Sequence, residues 1–124
     1  MENRKVSDFA RLSNKKTWDD TETVSLSDIV PTNLTITEFA RVMYGNDTAY
    51  AFKTHDGKEF VSVAIAFVNL GNELVASEAV KNTQSHAEYT NTTIYELAYA
   101  IDLRVERKKS ASTGREFYYI TDVE

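Results

Sequence analysis

The chain has 124 residues, a net charge of −5, 42% hydrophobic residues and no cysteine. That length holds one domain and one core, and the missing cysteine excludes a disulfide framework, a thiolate nucleophile and any Cys-ligated zinc. No apolar run approaches the roughly 20 residues needed to cross a bilayer, and Met1 to Lys5 leads into a polar stretch where a signal peptide would carry its apolar core, so a cytoplasmic setting is expected.

Residues 1–27 are polar, weakly periodic and acidic at Asp19, Asp20 and Glu22. They read as an extended or partly ordered arm, docked by Trp18, ahead of a folded domain over 28–124. Pro31 suits the start or edge of a strand. From Leu34 to Tyr44 the residues Leu34, Ile36, Ala40, Val42 and Tyr44 share one parity, the period of a half-buried strand. Gly45-Asn46-Asp47 reads as a three-residue turn, since Gly and Asn tolerate positive φ. A second strand, Thr48 to Lys53, ends at Asp56-Gly57, a hairpin signal taken as a two-residue turn. A third strand follows over Glu59 to Phe67, where Val61, Val63, Ile65 and Phe67 alternate with Phe60, Ser62, Ala64 and Ala66.

Beyond this meander, Leu70, Leu74, Val75 and Ala79 are spaced for a short amphipathic helix within 68–81, which Gly71 weakens. Residues 82–92 read as loop. Thr93 with Glu96 resembles a capping box, which predicts a helical turn there. A fourth strand alternates Ile101, Leu103 and Val105, and the loop Lys109 to Gly114 returns the chain into a fifth strand, Arg115 to Thr121. In that last strand Ile120 favours the Tyr118 side for the core over Phe117 and Tyr119. Three meandering strands, a helix and a two-strand hairpin make the order of a mainly β, five-stranded oligonucleotide-binding (OB) barrel.

The two assumed turns fix a register, and the register assigns faces. Tyr50, Phe52, Val61, Val63 and Ile65 then line the core with Val42. Phe39, Lys53 and Phe60 form one row on the outer face, with Arg41, Ala51 and Ser62 in the next. Exposed aromatics beside cations suit sequence-tolerant binding of single strands, because every base has a face to stack and the cations follow the phosphates. A one-residue slip in either turn exchanges the two faces.

Charge is distributed unevenly. Residues 1–16 carry five basic and two acidic side chains, residues 17–103 carry four against thirteen, and the stretch 104–115 carries five against one. A local basic patch, and not the net charge, meets a phosphate backbone. Arg104, Arg107, Lys108, Lys109 and Arg115 therefore extend the expected binding track.

The segment Arg107-Lys108-Lys109-Ser110-Ala111-Ser112-Thr113-Gly114-Arg115-Glu116-Phe117-Tyr118-Tyr119 resembles the basic fourth-to-fifth-strand hairpin of the small single-stranded-DNA-binding proteins of Gram-positive bacteriophages. Val24-Ser25-Leu26-Ser27-Asp28-Ile29 ahead of the first strand and the Asp56-Gly57 hairpin agree in layout, so the resemblance covers residues 24–122. It implies an OB fold, single-stranded DNA as partner, a role in phage replication or recombination in the host cytoplasm, contacts with replication or recombination proteins, and a dimer or tetramer. The sequence ends at Thr121-Asp122-Val123-Glu124 without the long acidic tail of bacterial housekeeping versions, which counts against recruitment through a tail.

An enzyme is not expected. His55 and His86 fall in turns or loops at no catalytic or metal spacing, Asp19-Asp20 lies in the arm, and no phosphate loop or nucleophile elbow occurs. No metal or cofactor is expected either. The competing expectation is a protein-interaction module that binds a host or replication protein, in one form a DNA mimic, which would show carboxylates on the outer face where the assumed register places Arg41 and Lys53.

Overall fold

A computed structural model describes residues 17–44, 47–87 and 91–123, with Tyr44 and Asp47 described by their backbone alone. The basic segment 1–16 and the tip of the first predicted turn lie outside these residues. In chain order the elements are β1 (Glu22–Thr23), α1 (Leu26–Ile29), β2 (Thr32–Tyr44), β3 (Asp47–Thr54), β4 (Lys58–Ser62), α2 (Ile65–Ala76), β5 (Val80–Ser85), β6 (Thr92–Lys109) and β7 (Glu116–Thr121). The fold is mainly β, as the alternation of the sequence predicts.

One sheet carries the strands in the order β1-β4-β3-β2-β6-β5, with β7 paired to β6 beside β5. The long strand β6 makes this possible. Its first half pairs with β5, its second half with β7, and its opposite edge runs along β2. A register shift between Ile36 and Glu38 bends β2 at the level where β6 passes from one partner to the other. No pairing joins β4 to β7, so the sheet stays open.

Both assumed turns differ by one residue. Tyr44 pairs with Asp47, so two residues separate β2 from β3 where three were expected. Lys53 pairs with Glu59, and the link at Asp56-Gly57 is the three-residue loop His55–Gly57. Only Gly57 there has positive φ (82°), whereas a two-residue type I′ turn needs it at Asp56 as well. Each slip shifts the pairing by one step, so β3 keeps Tyr50 and Phe52 inward and Lys53 outward as expected, while the faces of β2 and β4 are exchanged.

The core follows from the true register. Phe60, Phe52, Phe39 and Tyr95 stand opposite one another across β4, β3, β2 and β6. Neighbouring ring centroids in this row are 5.5, 6.2 and 4.8 Å apart. Phe67 of α2 covers the row at 5.5 Å from Phe52 and 5.4 Å from Phe60. Burying each such ring is worth roughly 1.5–3 kcal/mol.

Four other expectations are corrected. The helix begins at Ile65, inside the predicted third strand, because Phe67, Gly71 and Leu74 bury one helical face at a spacing of four and three. Val61, Val63 and Ile65, expected inside, are exposed. Thr93 and Glu96 lie in β6, not in a helical turn: Thr93 stands opposite Arg41, and Glu96 pairs with Lys81 at 3.4 Å. Val80–Ser85, partly expected as loop, is an edge strand whose exposed polar side chains give no apolar alternation to read.

Residues 17–23 cover the face of the sheet opposite the aromatic row. Trp18 is buried there against Ala40, Val42, Ala51 and Ile94. Small Ala40 on β2 and Ala51 on β3 leave room for the indole. Glu59, almost fully buried, anchors this strap. Its carboxylate accepts the Thr17 and Trp18 backbone N–H groups at 3.0 and 3.2 Å and the Thr21 hydroxyl at 2.6 Å. β1 then runs parallel to β4, with the Glu22 N–H donating to the Gly57 carbonyl at 2.8 Å.

Candidate nucleic-acid interface

The predicted outer row does not exist as a surface. Phe39 and Phe60 are 0% and 1% exposed and belong to the aromatic row of the core. Neither presents a ring for a base to stack on. Arg41 is exposed, but it lies in the neighbouring row, opposite Tyr50 and Thr93. Burial raises the Tyr50 phenol above its ordinary pKa, opposed by the Arg41 charge, and its hydroxyl donates to Asn72 Oδ1 at 2.6 Å.

Lys53 does face outward, in a row with Glu38 and Glu96. Its ammonium lies 3.3 Å from Asp20 and 3.4 Å from Glu38. Burial is the largest single influence on this amine and lowers its pKa, yet the hydrogen bonds and charges of Asp20 and Glu38 together outweigh it and hold the value raised. Two carboxylates already neutralise this cation, so a phosphate would have to displace them.

The remaining predicted cations come together on the β6–β7 hairpin. Residues directly opposite in an antiparallel pair share a face. Arg107 with Tyr118 and Lys109 with Glu116 therefore point to one side, while Lys108 with Phe117 and Glu106 with Tyr119 point to the other. The link closes through the Ser110 N–H to the Arg115 carbonyl (2.8 Å) and the Gly114 N–H to the Ser110 carbonyl (2.9 Å), with Gly114 at φ 71°. A left-handed residue is needed there, and glycine supplies it without strain.

Tyr118 and Ile120 pack toward the core, as Ile120 predicts, and leave Phe117 and Tyr119 43% and 41% exposed. The Lys108 ammonium stands 3.8 Å above the Tyr119 ring. Arg107 lies 5.8 Å from the Tyr118 ring, donates to the Ser27 carbonyl at 3.0 Å and sits 3.7 Å from Glu116. Arg104 donates to Asn33 Oδ1 at 3.3 Å, with Glu106 at 3.8 Å. Lys109 and Arg115 are exposed and make no ion pair with any described residue.

Phe117 and Tyr119, like Tyr99 on β6, are surface aromatics that sequence reasoning did not assign to the site. The signal was present: once Ile120 sends Tyr118 inward, the alternation must turn Phe117 and Tyr119 outward beside Lys108. Below the hairpin, a groove of about 520 Å³ opens between Ser27 of α1, Ala64 and Ile65 at the start of α2, and Arg107, Phe117 and Tyr118. His55 is exposed, and His86 is half-buried with Nε2 2.9 Å from the Thr17 carbonyl oxygen. Among the described residues no group of three His, Asp or Glu side chains could hold a metal ion, and no helix is long and apolar enough to cross a membrane.

No protein-family model, curated protein or solved structure matches the chain. The functional reading therefore stands on the site itself.

Proposed function

We propose that this protein binds single-stranded DNA without catalysis, using the β6–β7 hairpin as its contact surface. The observation that carries this reading is the exposed pair Phe117 and Tyr119 with Lys108 between them, on a hairpin holding five cations against two carboxylates. Exposed rings stack any base and the cations follow the backbone, so affinity depends on strandedness and salt more than on sequence. This hairpin is also the segment that carries the resemblance to phage single-stranded-DNA-binding proteins.

An OB-type ancestry is part of the proposal. Its support is the element order: a bent strand (β2) paired on both edges, a three-strand meander, a helix, then a long strand and a hairpin. Strand β5 is an addition to that plan, and the unpaired seam between β4 and β7 departs from a closed barrel. A role in phage replication or recombination and assembly as a dimer or tetramer rest on the resemblance alone.

The test is fluorescence anisotropy of a labelled oligo-dT strand beside a duplex of equal length, at two salt concentrations. Single-strand preference that weakens with salt is expected. The double variant Lys108→Glu/Tyr119→Ala should lose most of the affinity while keeping its circular dichroism and thermal midpoint. A folded wild type that binds neither strand nor duplex overturns the proposal. A second reading, a protein-interaction module that mimics DNA, is favoured by one observation: Asp20, Glu38 and Glu96 share the outer face, with Lys53 already neutralised between the first two.

A further inference from the structure

The groove beneath the hairpin shares Phe117 with the outer stacking surface and is otherwise lined by residues that surface does not use. Ile65 and Val63 are 74% and 65% exposed, although both belong to an apolar stretch that would ordinarily be covered. The groove continues into a second hollow of about 340 Å³ along Leu26, Val61, Val63 and Tyr118, so the cleft follows the open seam between β4 and β7. The floor is apolar, and the upper rim carries Arg107 and Glu116 beneath the basic hairpin. Arg107 is held at that rim by the Ser27 carbonyl and Glu116, with Lys109 on the same side of the hairpin.

We infer that this groove is a nucleobase subsite, into which one or two bases of a bound single strand turn while its phosphates stay on the hairpin. The inference rests on the single-strand reading above and adds a second, inner contact to it. Charge complementarity selects the occupant. A polyanion is drawn to a rim built from the most basic segment of the described chain, and a base is the flat apolar part of that polyanion that an aliphatic and aromatic cleft can take up. Tyr118 is oriented for this work by the core: its ring lies 6.3 Å from Phe67 in an edge contact, which fixes it without covering its groove side. Phe117 stands at the mouth, where the outer and inner contacts meet.

Two strands of equal length and equal phosphate number separate this inference from the parent proposal. One is oligo-dT and the other carries abasic sites throughout. Their affinity ratio reports base contacts alone, because charge effects are common to both. The groove is altered by Ile65→Asp, at an exposed position where folding is not at stake, and by Ala64→Leu, which fills the floor. The wild type should bind the abasic strand at least roughly fivefold more weakly, as expected of base stacking. Both variants should bring that ratio toward one while leaving the salt slope unchanged.

Folded variants that keep the wild-type ratio overturn the subsite and leave the hairpin proposal standing. A wild type that binds both strands equally overturns the subsite together with base stacking on Phe117 and Tyr119, and leaves only a phosphate-driven contact at the hairpin. A wild type that binds no strand ends both.

Discussion

Glu59 is the acidic residue that composition alone would place on the surface, yet it is among the most buried side chains of the molecule. A buried carboxylate persists only where donors satisfy it, and here two backbone N–H groups and a hydroxyl do so. Glu59→Gln keeps the shape but offers an amide N–H where an acceptor is needed. It should cost about 1–3 kcal/mol, the penalty for unsatisfied buried donors. Trp18, the sole tryptophan, provides the readout. Its emission should shift to the red in the variant at low urea, before the global transition, and an unchanged emission would mean the strap does not depend on Glu59. Gly71 is a second residue whose role hides in the packing. A Cβ there would lie 2.5 Å from the Tyr50 ring, which is itself buried and cannot swing away. Gly71→Ala therefore gains helix propensity but should lose stability by roughly 1–3 kcal/mol through overpacking, measured by urea unfolding; a stabilised variant would refute the close approach. Asp56 sets a pH dependence. The Thr54 hydroxyl bonded to its carboxylate holds the pKa below its ordinary value. A depressed folded pKa gives stability that is present above the ordinary carboxylate range and lost as pH falls through the folded value. Wild type should thus exceed Asp56→Asn at neutral pH, and the difference should vanish in acid.

At the scale of elements, the alternation was legible in β2, β3, β4, the second half of β6 and β7, but its phase was misread in β2 and β4 and was best marked in β7. There one strong β-branched residue, Ile120, decided the face. In β2 and β3 both faces are buried, one by α2 and the other by the Trp18 strap, so Phe39 and Ala40 are equally hidden and parity carries no sign. The turns were left to decide, and Asp-Gly serves a three-residue loop as readily as a two-residue one. The helix start was misread for a related reason: Val61, Val63 and Ile65 alternate like a strand and remain exposed, so their pattern is not a core pattern at all. The register makes a sharp contrast that mutation can check. Phe39→Ala should destabilise by about 3–5 kcal/mol, as large-to-small changes at buried aromatic sites do. Tyr119→Ala should stay within about 0.5 kcal/mol, the usual range for surface positions. Equal midpoints for the two variants in urea would return Phe39 to the surface and restore the turns first assumed.

For the whole molecule the decisive quantity is where the charge sits. The acidic stretch 17–103 surrounds Lys53 with carboxylates and leaves the hairpin as the basic end of the described chain, so a net charge of −5 does not oppose binding there. The salt dependence then follows from the number of cations that reach phosphates. With the five cations of 104–115 fully engaged, log K against log salt should have a slope no steeper than about −3.5, since each phosphate contact on a single strand contributes roughly −0.7. Arg104 and Arg107 already donate to Asn33 and to the Ser27 carbonyl, so a slope nearer about −2 is expected, from Lys108, Lys109 and Arg115. Lys108→Glu should flatten it by about 0.7. The sequence also carries five basic residues within 1–16. A slope beyond about −3.5 cannot come from the hairpin alone and would bring that segment into the interface. In that event a chain lacking residues 1–16, with Trp18 and its Glu59 anchor retained, should return the slope to the hairpin's value while the preference for single strands, which depends on Phe117 and Tyr119, persists.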